Sequence, residues 1–82
     1  MISTAEKVIK IIADEACCEP ESISTVANFV ELDLDSLEFV NVISQCEKEF
    51  NIRIDDVAVY KIDIVSDLIT KVEELICESQ SK

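Results

Sequence analysis

Residues 33–39 read Asp-Leu-Asp-Ser-Leu-Glu-Phe, and they hold the side chains of this sequence best suited to chemistry. One hydroxyl, Ser36, stands between Asp35 and Leu37, with a further carboxylate at Glu38. Such a cluster suits two kinds of chemistry: attack by the hydroxyl, or capture of a cation by the spaced acids. A serine hydroxyl is a weak nucleophile unless a neighbouring base takes its proton, and the chain contains no histidine. Acid–base or nucleophilic catalysis by the chain alone is therefore not expected, and no residue is assigned a catalytic role. The cation reading also fails. A calcium loop of the EF-hand type starting at Asp33 needs an oxygen ligand at position 37 and glycine at 38, and those positions hold Leu37 and Glu38. No metal site is expected, so either Ser36 is an ordinary first-turn residue behind an aspartate cap or a reaction is performed on it by another protein.

Composition narrows the field further. The 82 residues form one small domain, 49% hydrophobic, with enough apolar side chain for a single modest core. Seven basic residues face eighteen acidic ones, a net charge of −11, which argues against nucleic acid and anionic membranes and favours basic protein partners. Glycine is absent, which removes the phosphate-cradling loops that need backbone without a Cβ. Met1–Glu6 has neither the basic nor the apolar region of a signal peptide, and no apolar run is long enough for a membrane span. The expectation is a soluble, cytoplasmic monomer. Cys17, Cys18, Cys46 and Cys77 follow no zinc spacing and read as free thiols. Cys46 and Cys77 fall at core positions of predicted helices, whereas Cys17 and Cys18 carry no assigned role.

The elements that position Ser36 follow from periodicity. The spacing predicts a first helix over Thr4–Ala16, with Val8, Ile9, Ile11, Ile12 and Ala16 as its apolar stripe and Ser3 with Glu6 as a capping box. Pro20 keeps it from running on. From Glu21 to Leu34 no helical period holds, and a loop this long in a small domain is usually functional. Ile23, Val26, Phe29, Val30, Leu32 and Leu34 are its candidate anchors. A second helix starts at Ser36, capped by Asp35 with Glu38 at the third position, its stripe formed by Leu37, Val40, Ile43, Cys46 and Phe50. Asn51 can take the left-handed position that closes it. A short helix near Asp56–Tyr60 and a last one over about Ile64–Cys77, capped by Asp63, complete an all-α fold. It is a small four-helix bundle, three longer helices and one short, with a long first loop. Residues 1–82 make a single domain, with 78–82 a flexible polar tail.

On this helix order, the stretch from Asn28 to Asp56, "NFVELDLDSLEFVNVISQCEKEFNIRIDD", resembles the acyl carrier proteins, as does the downstream "YKIDIVSDLITKVEEL". The similarity covers about Ser3 to Ile76. It implies that Ser36 carries 4′-phosphopantetheine, joined to it from coenzyme A by a separate phosphopantetheinyl transferase with magnesium assisting, and that Asp35 belongs to that attachment site. The terminal thiol of the arm then carries acyl groups as thioesters between acyl-transferring or acyl-ligating enzymes. A phosphoester at Ser36 suits the start of a helix, where free N–H groups and the helix dipole favour negative charge. The resemblance also implies that Leu37, Glu38 and Glu47, with Asp35, meet basic docking patches on partners. It further implies that an acyl chain can fold back along Val40, Ile43, Cys46, Ile62 and Leu68.

The chain departs from the family in three places. Asp33 stands where the family has glycine, Asn41, Ser44 and Lys48 make the second helix less acidic, and Phe39 adds an aromatic ring beside Ser36. These departures suggest a specialised carrier in fatty-acid, lipid or secondary metabolism. The alternatives are a carrier of aminoacyl, polyketide or peptidyl groups, and an unmodified helical interaction domain.

Overall fold

A computed structural model describes residues 3–80, and the side chains of 3–78. Its helices are α1 (Thr4–Ala16), α2 (Ser36–Phe50), α3 (Asp56–Lys61) and α4 (Val65–Gln80), with a short 3₁₀ turn at Pro20–Ser22. Ser3 and Glu6 form the capping box of α1, Asp35 and Glu38 that of α2. α1 and α2 run antiparallel. Lys7 pairs with Glu49 at 3.5 Å, and at the other end Asn41 and Gln45 each donate to Glu15 at 3.3 Å.

The core draws on every helix and on the loop: Val8 and Ile12 of α1, Val42 and Cys46 of α2, Ala58 of α3, Val65, Leu68 and Val72 of α4, and Ile23, Phe29 and Leu34 from the first connection. Fully burying one such aliphatic side chain contributes about 1.5–3 kcal/mol. The α2 stripe differs from the expected one. Leu37 is 70% and Val40 52% exposed, while Val42 is fully buried. Intervals of three and four admit more than one row, and packing against α1 and α4 keeps Ile43 and Cys46 of the expected stripe while taking Val42 in place of Leu37 and Val40. Cys77 is exposed rather than a core residue, α4 includes Glu78–Gln80 of the expected tail, and residues 81 and 82 lie outside the described residues.

The long connection is built, not loose. Asn28 and Glu31 form a capping box of their own, with the Glu31 amide on Asn28 Oδ1 at 2.7 Å and the Asn28 amide on Glu31 Oε1 at 3.0 Å. The turn closes with the Leu34 amide on the Phe29 carbonyl and the Asp33 amide on that of Val30, a helix-ending pattern that places Asp33 left-handed at φ 61°. So the position expected to miss its glycine does adopt glycine's conformation, and an aspartate bears it. Val26 and Val30, expected as anchors, point into solvent instead; within the turn from Asn28 to Leu34 only Phe29 and Leu34 are buried.

The same loop finishes α4. The amides of Val65 and Ser66 donate to the carbonyls of Ala27 and Thr25 at 3.0 and 2.8 Å. Asp63 does not cap the helix with its side chain. The Asp67 carboxylate reaches back to the amides of Asp63 and Ile64 at 3.1 and 3.2 Å, because first-turn donors can be met from within the helix as well as from before it.

Candidate functional site

Asp35 sets the geometry around Ser36. Its Oδ1 accepts from the Glu38 amide at 2.8 Å, and Glu38 Oε1 accepts in return from the Asp35 amide at 3.1 Å. Losing such a cap typically costs about 1 kcal/mol. Ser36 follows as the first residue of α2, exposed, with no hydrogen bond to its hydroxyl among the described residues. A helix's first-turn amides have no intrahelical partner, so those of Ser36 and Leu37 stay open to an anion.

Beside the hydroxyl lies an open depression of about 220 Å³, lined by Phe29, Val30, Leu34, Asp35, Ser36, Phe39, Ile62 and Asp63. Its aromatic wall is a tilted pair, Phe29 and Phe39, with centroids 4.8 Å apart and planes at 56°. The residues fit a flexible arm: an uncommitted, accessible hydroxyl for the bond, open amides for the phosphate, and an apolar shelf alongside. Larger depressions lie elsewhere, including one of about 800 Å³ between Ser44, Lys48 and the segment 51–56, but Ser36 lines none of them.

The structure sorts the expected site residues. Asp35, Ser36, Leu37 and Glu38 stand together, with Leu37 projecting into solvent. Glu47 does not face outward as a free charge. Its Oε2 accepts from the Ile54 amide at 2.8 Å in a partly buried setting, fastening the segment after α2. A buried donor left without its acceptor costs about 1–3 kcal/mol, whereas an exposed ion pair contributes about 0–1 kcal/mol. Glu47 is therefore held inward.

Of the expected acyl lining, only Ile62 meets the depression. Ile43, Cys46 and Leu68 are packed in the core, and Val40 lies outside it. Burial pushes the Cys46 thiol up to about 12 from 9.0, with the Glu47 carboxylate adding to the shift. Phe29, missed as a site residue, was signalled by its place ahead of the motif but could be tied to Phe39 only through the loop's fold.

Comparison with known proteins defines the class first. Residues 6–72 match the family described as "Phosphopantetheine attachment site", which makes this a carrier domain of the phosphopantetheine type. An acyl carrier protein of Lactococcus lactis subsp. cremoris is 41% identical over 68 residues, covering 83% of this chain and 90% of that protein. One from Zymomonas mobilis is 33% identical over 75 residues, 90% of this chain and 96% of the other. The crystal structure of an acyl carrier protein from Thermotoga maritima superposes with a TM-score of 0.79 at 30% identity, over 90% of this chain and 87% of that one. The chain belongs to the acyl carrier protein family, and its cofactor is phosphopantetheine. None of its helices, among the described residues, is long and apolar enough to cross a membrane.

Proposed function

We propose that Ser36 is the attachment residue of the 4′-phosphopantetheine arm, and that the exposed start of α2 is where partner enzymes collect and deliver the acyl cargo. The observation that carries this reading is the Ser36 hydroxyl itself. It is exposed and has no hydrogen bond among the described residues, on the first turn of a helix whose cap is already supplied by Asp35. In the joining reaction the Ser36 oxygen bonds to the phosphorus next to the pantetheine of coenzyme A. The pyrophosphate bond breaks, and adenosine bisphosphate leaves. The hydroxyl proton passes to the transferase, which explains why this chain needs no base. When attached, the arm supplies a thiol that holds acyl groups as thioesters.

The chain's own residues then orient and shelter. Asp35 and Glu38 lock the first turn so that Ser36 has one presentation, and Leu37 offers partners an apolar contact. The shelf of Phe29, Phe39 and Ile62 takes the part of the cargo nearest the attachment point. Cys46 and Leu68 have no exposure, so a long acyl chain enters the bundle only by parting them from their neighbours. This favours a carrier of short or surface-lying groups, in keeping with a specialised role. The same shelf could serve an aminoacyl or polyketide group.

Intact mass before and after incubation with coenzyme A, magnesium and a broad-specificity phosphopantetheinyl transferase tests the assignment. The parent should gain one phosphopantetheine and Ser36→Ala none. A gain in Ser36→Ala, or none in the folded parent, would overturn it.

A further inference from the structure

The fold sorts the four thiols by their distance from Ser36. Cys46 is sealed in the core, whereas Cys17, Cys18 and Cys77 are exposed. The amides of Cys17 and Cys18 both donate to the Ala13 carbonyl, so the two residues stay wrapped on the end of α1 instead of trailing into the loop. That end lies beside the first half of α2. Glu15 accepts from Asn41 and Gln45, while Lys7, earlier on α1, pairs with Glu49, later on α2. Following α1 forward therefore leads toward Ser36.

Ser36 precedes Asn41 by about 7.5 Å of helix, and packed helices stand about 8–10 Å apart. The Cys17–Cys18 pair is thus roughly 12 Å from the Ser36 backbone. A phosphopantetheine arm runs through about fourteen bonds from the serine oxygen to its sulfur, close to the span of about five extended residues, or roughly 16 Å. The pair lies inside that reach. Cys77 lies outside it. α4 starts beside the Ser36 depression, which Ile62 and Asp63 line, and Cys77 comes about 18 Å further along its axis. Nor do the two adjacent cysteines readily satisfy each other. Neighbouring Cα atoms stand about 3.8 Å apart, short of the roughly 4.4–6.8 Å that a disulfide spans. Two exposed thiols, without a hydrogen bond among the described residues, are left for a third sulfur.

We propose that the Cys17–Cys18 pair is an oxidation site for the arm: a disulfide joins one of its sulfurs to the arm's terminal sulfur and withdraws that thiol from acyl loading. The oxidant is a small disulfide such as oxidised glutathione. A thiolate of the pair attacks it, forming a mixed disulfide and releasing one glutathione thiolate. The arm's thiolate then attacks the cysteine sulfur and releases the second. Two thiols of the loaded chain lose two protons and two electrons, and one glutathione disulfide becomes two thiols. A short flexible tether holds its partner at an effective concentration of about 1 mM, so closure within the chain outcompetes dilute glutathione. A bond between two chains is disfavoured, because it brings together two molecules of charge −11. The inference rests on Ser36 carrying the arm, as above, but concerns a site on α1.

Intact mass and peptide mapping of the whole chain test this. The parent, Ser36→Ala, Cys17→Ser/Cys18→Ser and Cys77→Ser are each incubated with coenzyme A, magnesium and a broad-specificity phosphopantetheinyl transferase. Each then enters a glutathione redox buffer with about 0.1 mM free thiol, a tenth of the effective concentration. The loaded parent and loaded Cys77→Ser should yield the Ser36 peptide joined through the arm to the Cys17–Cys18 peptide. That product should exceed the arm's glutathione adduct about tenfold. Loaded Cys17→Ser/Cys18→Ser and unloaded Ser36→Ala should give glutathione adducts alone. An arm in the loaded parent that carries only glutathione, or that joins Cys77, would overturn the proposal. So would a Cys17–Cys18 bridge or a disulfide between two chains as the main product. Loading and linkage are read as separate masses. A parent that gains no arm would overturn the attachment at Ser36 and this proposal together, whereas a loaded chain without the link would overturn this proposal and leave the attachment standing.

Discussion

Cys46 shows how far one residue's role departs from its chemistry. In a carrier, a reactive protein thiol near the arm would compete for acyl groups by thioester exchange, and burial keeps this one inert. Only the thiolate is nucleophilic, and with the thiol held near 12 almost none is present at neutral pH. A maleimide should label Cys17, Cys18 and Cys77 in the folded chain and reach Cys46 only on unfolding, as peptide mapping by mass would show. The same shift makes stability depend on pH. The unfolded thiol ionises near 9.0 and the folded one near 12, so between those values the unfolded state holds fewer protons. This contribution is intact below pH 9 and declines as pH rises toward 12, by about 1 kcal/mol per pH unit. Denaturant melts of the parent and Cys46→Ala should therefore differ by a constant amount up to pH 9 and converge above it. Parallel curves through pH 10.5 would contradict this.

At the level of elements, a chain without glycine must still end its helices and turns. Three residues take the left-handed conformation: Cys17 closing α1, Asp33 closing the turn before Ser36, and Asn51 closing α2. Each is followed by an amide that reaches back five residues, Cys18 to Ala13, Leu34 to Phe29 and Ile52 to Glu47. Asparagine and aspartate tolerate this region better than other side chains, whereas a cysteine gains nothing from it. Cys17→Gly should raise stability by about 0.5–1 kcal/mol and Asp33→Gly by rather less, once the greater entropy of unfolded glycine is counted. Chemical denaturation of the two variants checks the order.

The starts of α1 and α2 were legible in the sequence because caps are local: Ser3–Glu6 and Asp35–Glu38 are signals four residues long. The inward turn of Glu47 and the burial of Val42 over Val40 were not legible. They depend on which neighbours α2 meets, and spacing carries no record of that. The resemblance to the carrier family pointed to Ser36. It did not show that the acids around it are already in use.

For the whole molecule, charge is the dominant liability. Against a net −11, the described residues form two salt bridges, Lys7–Glu49 and Lys71–Glu74, both partly exposed. Self-repulsion of this kind weakens the compact state and is relieved by screening. Raising sodium chloride from 10 to 500 mM, roughly a fivefold or greater shortening of the screening length, should raise Tm by several degrees. An unchanged Tm across the series would count against it. The loop leading to Ser36 adds a constraint of another kind. Its Thr25 and Ala27 carbonyls are held by amides at positions 65 and 66, so it is fastened only after α4 has been made. During synthesis, helices α1 and α2 emerge first, and the turn at 28–34 has its own bonds, but the Thr25 and Ala27 carbonyls still await their partners. The last tie of the segment leading to the serine therefore exists only once the final helix does, and a chain cut short before residue 65 lacks it.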